Sequence, residues 1–381
     1  MYLILSRHNS NVGDYLILER AKNLVETLKP DTPSLVGHIA IPLYDQITPA
    51  QFKQLKAVII TGGPGIRPNI YPDIYPVHPD ILTHNIPIIF LGIGAKYYPG
   101  EYSLAHMVKL SQQSLQFLHH IEDTGFGIGV RDIHSVRVLN LNGIQNVSLN
   151  GCPAWYAVNE FPTHHVQPKE IRRILFTTPA TPFHYRLAAS ILKALRTKFP
   201  EATILVSFHH GIQLGEKGDP RLTDLNVRLL NYAKKLGCET FDASYDLKKI
   251  QVYDTMDIHV GFRVHAHIYF LSYAKPSFLI AEDSRGDGVV KTLGGVGFPA
   301  WNKLGAWTGI NWITRLGFSR AAEGVERVTK LNMQVNYHIP TQVVEAITSE
   351  VETKFQSFQP IPKRLEYWFK HSMKKFIDKI P

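Results

Sequence analysis

The sequence predicts an α/β protein built as two doubly wound, Rossmann-like domains that face a cleft, and three observations carry that expectation. Short apolar runs of strand length alternate with stretches of helical periodicity almost without pause. The alternation lapses across residues 155–171, where Pro162, His164, His165 and Pro168 read as a linker, and then begins again. The 381 residues also suit two domains of ordinary size. The expected division is a first domain over 1–154 and a second over 172–340, with a C-terminal segment, 341–381, packing back across both.

Taken in order, Tyr2–Ser6 is a strand, Arg7–Asp14 a polar turn, and Tyr15–Leu28 has helical spacing. Ala57–Thr61 is a strand ending in Gly62-Gly63-Pro64-Gly65, and Pro87–Gly92 is another, ending in Gly92-Ile93-Gly94. Ser103–Ile121 reads as a helix, Gly127–Val130 as a strand, Ile133–Leu141 as a helix and Asn146–Leu149 as a strand. Such a βα layer system implies a parallel sheet covered on both faces. After the linker come strands at Arg173–Thr178, Ala202–His209 and Glu239–Asp242, with helices at Phe183–Phe199, Leu222–Leu236 and Leu247–Met256. Asp257-Ile258-His259-Val260 is a buried strand. The helix after it stops at Lys275-Pro276, and Ser277–Ala281 starts another strand. Thr341–Gln356 and Lys363–Ile380 read as two closing helices, separated by Pro360 and Pro362.

Composition narrows the function. Hydrophobic content of 44% with 19% charged residues describes a chain that buries a core. A net charge of +9 favours anionic partners. Nucleic acid is the poorest fit among these, because no binding signature occurs and no dense basic run precedes the last twenty residues. Cys152 and Cys238 stand far apart with no metal-ligand spacing, as in cytoplasmic proteins with buried thiols. Residues 1–5 are read as a first strand and not a signal peptide, and no apolar stretch reaches the length of a membrane span.

The most informative stretch is Gly261-Phe262-Arg263-Val264-His265-Ala266-His267, where a strand passes into a helix. The carboxyl edge of an open α/β sheet is where ligands bind, and a helix N-terminus favours an anion. Arg263 offers a permanent planar cation and His265 a proton that can move near neutral pH. The bland alternative is that Arg263 pairs with a structural carboxylate while the histidines cap the helix.

Other strand ends carry weaker signals. Asn11, Gly13 and Asp14 can cap a helix or expose N–H groups and a carboxylate in the cleft. Gly62, Gly63 and Gly65 permit close backbone approach to a ligand, without the Lys-Ser/Thr that a P-loop would require. Gly94 lies in a similar turn, and Arg131-Asp132 places a cation at a helix start. His209 and His210 end a strand of the second half with no third ligand at sensible spacing, so no metal is expected.

In order and identity these segments resemble the polysaccharide pyruvyl transferase family over roughly residues 9–283. The resemblance rests on Asn11-Val12-Gly13-Asp14, Gly62-Gly63-Pro64-Gly65, Gly92-Ile93-Gly94, Val130-Arg131-Asp132 with Ser135, and above all Gly261-Phe262-Arg263-Val264-His265. Pro64 interrupts a run of three glycines often seen in the family, Cys152 stands where Asp is frequent, and Glu282-Asp283-Ser284-Arg285-Gly286 departs from a shorter loop.

The resemblance implies a fold similar to the glycosyltransferase B type, with the first domain as acceptor side and the second as donor side. It implies transfer of pyruvate from phosphoenolpyruvate to a sugar as a cyclic ketal, in polysaccharide or glycan biosynthesis such as that of exopolysaccharide. Arg263 would clamp the donor and His265 would act as general acid, with His209 and His210 also on the donor side. Asn11, Gly13, Asp14, Gly62, Gly63, Gly65, Gly94 and Arg131 would form the acceptor and cleft loops. No metal and no cofactor are needed beyond phosphoenolpyruvate as co-substrate. The acceptor would be a sugar or lipid-linked saccharide, and the location cytoplasmic.

Two other readings stay open: a nucleotide-sugar glycosyltransferase using Glu282 and Asp283, and a non-catalytic glycan- or anion-binding relative. The last helix also reads in two ways. Leu365, Trp368, Phe369, Met373, Phe376 and Ile380 share one face, opposite a basic one. The apolar face either docks on the first domain or holds residues 363–380 peripherally at the inner membrane face. Docking is the favoured reading.

Overall fold

The computed structural model describes residues 1–98, 100, 102–213, 220–302 and 335–381. Its first sheet comprises β1 (Tyr2–Ser6), β2 (Ser34–His38), β3 (Ala57–Thr61), β4 (Ile88–Ile93), β5 (Ile128–Val130) and β6 (Val147–Leu149). These lie in the order β2-β1-β3-β4-β5-β6, with every neighbouring pair parallel. The second comprises β7 (Arg173–Thr177), β8 (Thr203–Phe208), β9 (Glu239–Asp242), β10 (Ile258–Gly261), β11 (Ser277–Ala281) and β12 (Val296–Pro299). Its order, β12-β11-β10-β7-β8-β9, is again all parallel. The expected range 172–340 includes 214–219 and 303–334, which lie outside the described residues.

Each sheet reverses its strand order once, between β1 and β3 in the first and between β7 and β10 in the second. At such switch points the connections leave to opposite faces, and a crevice opens beyond the carboxyl ends of the two strands. Asn11–Asp14 and Gly62–Gly65 follow one pair, and Thr178–Thr181 and Phe262–His265 follow the other.

Strands β1, β3 and β4 are buried along their whole length, so they read as continuous apolar runs. Alternate residues of β1 enter different cores. Leu3 and Leu5 join the cluster on one face of the first sheet, whereas Tyr2 and Ile4 join the other. That second cluster continues through Trp155 into the second half and the C-terminal residues.

The tail crosses from one half to the other. Arg364 Nη1 donates to Leu293 O (3.2 Å) in the second half, and Ser372 Oγ to Leu149 O (2.6 Å) in the first. Tyr2 Oη donates to Pro381 O, and Lys29 Nζ to the carbonyls of Asp378 and Ile380. Leu365, Met373, Phe376 and Ile380 are buried in these contacts, whereas Trp368 and Phe369 on the same face are half-buried. The expected single helix is broken into Ile361–Trp368, a wider π turn at Phe369–Met373, and Lys374–Asp378. Among the described residues no helix is long and apolar enough to cross a membrane.

Three expected boundaries shift for local reasons. Ser103–Ile121 is two elements, a 3-10 segment Tyr102–Met107 and a helix Gln112–Asp123, because Ser111 Oγ accepts from Ser114 N and starts the helix afresh. Leu247–Thr255 is a 3-10 helix capped by Asp246. The first long helix begins at Val12, so Gly13 and Asp14 belong to its first turn and not to the preceding polar turn.

Candidate active site

The junction after β10 is built by close approach. Gly261 has φ +151°, and a Cβ there would lie 2.4–2.6 Å from atoms of Thr177 on β7. Without a side chain, Phe262 N can reach Thr177 O (3.1 Å) and Arg263 N can reach Thr177 Oγ1 (3.2 Å). Arg263 is thereby fixed at the start of the helix Val264–Ser272. Its side chain is buried, Nη2 donates to Pro179 O (3.0 Å), and Nε has no hydrogen-bond partner. Among the described residues it makes no ion pair, so the structural-carboxylate alternative is not what the fold displays. Burial brings its pKa down to about 10, with Glu282 opposing and Arg285 adding to the shift.

His265 stands against the first half of the chain. A Cβ on Gly13 would lie 2.1 Å from His265 Nδ1, so the glycine makes room for the imidazole. His265 Nε2 is shielded from solvent and unpartnered. Burial first, then Arg131, Arg285 and Arg263, push its pKa down to about 3. The imidazole is therefore neutral at neutral pH.

Arg131 approaches from β5. A Cβ on Gly94 would lie 2.1 Å from Arg131 Nε, which explains that glycine. Arg131 Nε donates to Asp132 Oδ2 (3.1 Å), and the other oxygen of Asp132 accepts from Ser135 N and Oγ. Arg131 Nη2 is left buried and without a partner. Arg263 and Arg131 thus each present an unsatisfied N–H within electrostatic reach of His265, whose Nε2 is also unsatisfied. A buried polar group without a partner is costly, and such groups gathered in one place point to a ligand that satisfies them.

Asp14 is the carboxylate in this field. Burial lifts its pKa to about 6, while a hydrogen bond from Asn11 and the charges of Arg285, Arg131 and Arg263 pull the other way. Asn11 caps the same helix turn, its side chain accepting from Gly13 N. His209 and His210 flank the group. His209 Nε2 meets Tyr253 Oη (2.9 Å), whose oxygen also meets Ser207 Oγ (2.6 Å), and His209 O accepts from Val12 N. His210 Nδ1 lies 3.5 Å from Ser10 Oγ, and its pKa is pushed down to about 3 by burial and then by Arg263 and Arg285.

Gly62, Gly63 and Gly65 wall a cavity of about 560 Å³ that also reaches Asp14, Arg7 and Arg67. Tyr75 buttresses this loop: its Oη donates to Gly62 O (3.1 Å), and a Cβ on Gly65 would strike it at 2.0 Å.

The sequence reading did not assign Arg285 to the site. It follows β11 at the start of the helix Ser284–Leu293, the same strand-to-helix signal that marked Arg131 and Arg263. It closes on Asp283 at 2.7 Å; burial opposes its charge, but Asp283 outweighs that and holds its pKa above the usual arginine value. Lys96, after β4, is also close, its pKa brought down to about 8 by burial and then by Arg285. Ser284 locks the two halves together here: its Oγ donates to Ala95 O (3.2 Å) and accepts from Tyr97 N (3.1 Å), and its N donates to Tyr97 O (3.1 Å).

The family model for polysaccharide pyruvyl transferase matches residues 11–284. No curated protein matches the chain in sequence. Among solved structures the chain is similar to S. aureus MnaA, solved with UDP, at 10% identity and a TM-score of 0.51, covering 97% of this chain and 95% of that one. It is also similar to UDP-GlcNAc 2-epimerase from Neisseria meningitidis bound to UDP-GlcNAc, at 11% identity and a TM-score of 0.50, covering 97% and 99%. These likenesses place the fold with the glycosyltransferase B type.

Proposed function

The chain belongs to the polysaccharide pyruvyl transferase family, and from that premise we propose that it moves pyruvate from phosphoenolpyruvate to a sugar as a cyclic ketal. The observation that carries this reading is that Arg131 Nη2, Arg263 Nε and His265 Nε2 are all buried and unpartnered, with both guanidiniums within electrostatic reach of His265. Phosphoenolpyruvate carries a phosphate and a carboxylate, and planar guanidinium forks grip either group. Arg131, Arg263 and Arg285 are the donor clamp in this scheme.

Donor binding also arms the acid. Burial is the largest cause of the low His265 pKa and the three guanidiniums add to it; a bound dianion would compensate the guanidinium part and raise the pKa. His265 then protonates the methylene carbon as a first sugar hydroxyl adds to the adjacent carbon. Asp14, with a pKa near 6, is ionised at neutral pH and suited to take a hydroxyl proton. The C–O bond to phosphate breaks, and the second hydroxyl closes the ring. In balance, one hydroxyl proton ends on the new methyl group and the other on the released phosphate. The expected cytoplasmic location is part of the same proposal, since it gives access to this donor.

The nucleotide-sugar alternative has less to rest on. Glu282 accepts from Ala180 N, Thr181 N, Thr181 Oγ1 and His184 Nδ1, and Asp283 is closed on Arg285. Neither carboxylate is left to hold a ribose. A thermal-shift comparison tests the choice. Phosphoenolpyruvate at a hundredfold excess over its dissociation constant should add about 2.7 kcal/mol of apparent stability. Stabilisation by UDP-sugars and none by phosphoenolpyruvate would overturn the proposal.

A further inference from the structure

The cleft holds more positive charge than a single donor needs. Arg7 and Arg67 both line the cavity beside Gly62–Gly65, away from the clamp formed by Arg131, Arg263 and Arg285. Each is steadied by a backbone carbonyl, Arg67 Nε donating to Pro64 O (3.2 Å) and Arg7 Nη1 to Ile74 O (3.4 Å). Neither makes an ion pair among the described residues. The carboxylate in the cavity wall, Asp14, lies within electrostatic reach of the three donor-side guanidiniums. Arg67 in turn lies within electrostatic reach of Arg285 and Arg7, with Asp283 opposing them, so the cavity and the donor side share one electrostatic field.

Arg131 and Arg285 each have a neighbouring aspartate, but Arg7 and Arg67 share the cavity wall with Asp14 alone and pair with no carboxylate among the described residues, so an anion between them would relieve their repulsion. The backbone beside them is bare. Gly62 and Gly63 have φ of +42° and +81°, and a Cβ on Gly63 would find nothing nearer than Tyr75 Oη at 4.0 Å. A volume of about 560 Å³ is enough for a saccharide together with a charged substituent.

We propose that this cavity is the acceptor subsite and that it selects a phosphorylated saccharide, with Arg7 and Arg67 holding the phosphoryl group. The inference rests on the pyruvyl transferase reading for the word acceptor; the anion site itself does not. A planar fork suits phosphoryl oxygens two at a time, and two forks in series suit a phosphoryl group or a diphosphate better than an uncharged hydroxyl array.

The test is calorimetric titration of the full chain saturated with phosphoenolpyruvate, using pyrophosphate, glucose 1-phosphate, glucuronate and glucose as probes. Pyrophosphate or glucose 1-phosphate should bind in addition to phosphoenolpyruvate, and the tighter of the two identifies a diphosphate or a monoester. An Arg7→Gln, Arg67→Gln double variant should lose that binding by about tenfold or more. Its affinity for phosphoenolpyruvate should stay within about twofold of the parent. Arg7→Gln alone, at an exposed side chain, should weaken the same probes and guards against a folding defect in the double variant. Full competition between pyrophosphate and phosphoenolpyruvate would overturn the proposal, as would glucuronate binding tightest or unchanged binding in both variants. If phosphoenolpyruvate never binds while the phosphorylated probes still depend on Arg7 and Arg67, the donor reading fails and the anion subsite stands.

Discussion

Replacing Gly13 by alanine adds one methyl group directly in front of His265. Built on the present backbone, the new Cβ lies 2.1 Å from Nδ1, 2.6 Å from Cγ and 2.8 Å from Cβ of the histidine. Ordinary contact begins near 3.4 Å, so the ring or the helix must retreat by about 1.3 Å. Gly13 is in the first turn of the helix Val12–Leu28 and does not have a positive φ, so alanine meets no backbone penalty there. Alanine is in fact the better helix former by up to ~1 kcal/mol. Overpacking costs about 1–3 kcal/mol, and the two terms leave a net loss of stability of roughly 0–3 kcal/mol. Catalysis should respond far more strongly. A displacement of about 1 Å at a reacting group costs on the order of 10²-fold in rate. The expected result is therefore a soluble Gly13→Ala protein with a melting temperature within a few degrees of the parent and turnover lower by about two orders of magnitude. The assay is phosphate release from phosphoenolpyruvate with acceptor present, alongside a thermal melt. Near-parental turnover would show that His265 does not need its observed position, and the acid assignment would fall.

His265→Ala should fold and lose about 10²-fold or more in turnover. His265 is neutral in the empty site and, in the proposed scheme, becomes charged beside the donor; phosphoenolpyruvate binding at pH 7 should then take up protons in the parent and fewer in His265→Ala, read by calorimetry in buffers of different ionisation enthalpy. For Asp14 the sign runs the other way from a stabilising carboxylate. Its folded pKa is raised, so the native state holds the proton more tightly than the unfolded chain, and stability falls as pH rises from about 4 to about 6. Asp14→Asn should therefore raise the melting temperature above pH 6, lose that advantage below pH 4, and abolish transfer; an unchanged melting temperature at pH 7–8 would contradict the burial argument. Truncation after Pro360 uncovers the pockets of Leu365, Met373, Phe376 and Ile380, worth roughly 1.5–3 kcal/mol each. The shortened chain should unfold or aggregate, and any sedimentation of the full chain with anionic vesicles should weaken at high salt, because the exposed basic residues would make most of it.

How far the sequence could be read depended on whether a feature was local. The central strands of both sheets are buried on both faces, so their apolar runs announce them; β2 and β12 do not, being half-buried edge strands interrupted by Gly37 and by Gly297 with Pro299. Arg131 and Arg263 were legible for the same reason as the strands they follow, since each lies at the junction of an apolar run and a helix start. Arg285 occupies the same kind of junction, but it follows the acidic pair Glu282-Asp283, whose carboxylates the fold commits to the Ala180–His184 turn and to Arg285 itself. Glu282 holds the Ala180–His184 turn, and through Pro179 O that turn steadies Arg263. Arg7 and Arg67 gave no signal because nothing in their own neighbourhoods is unusual; they matter only because two switch-point loops bring them to one cavity. Gly13 gives the clearest contrast. In sequence it is part of a capped turn, and a capped turn is what the helix start is. Its second role, leaving space for an imidazole from the other half of the chain, depends on the two sheets meeting, and no pattern within residues 9–14 could carry it.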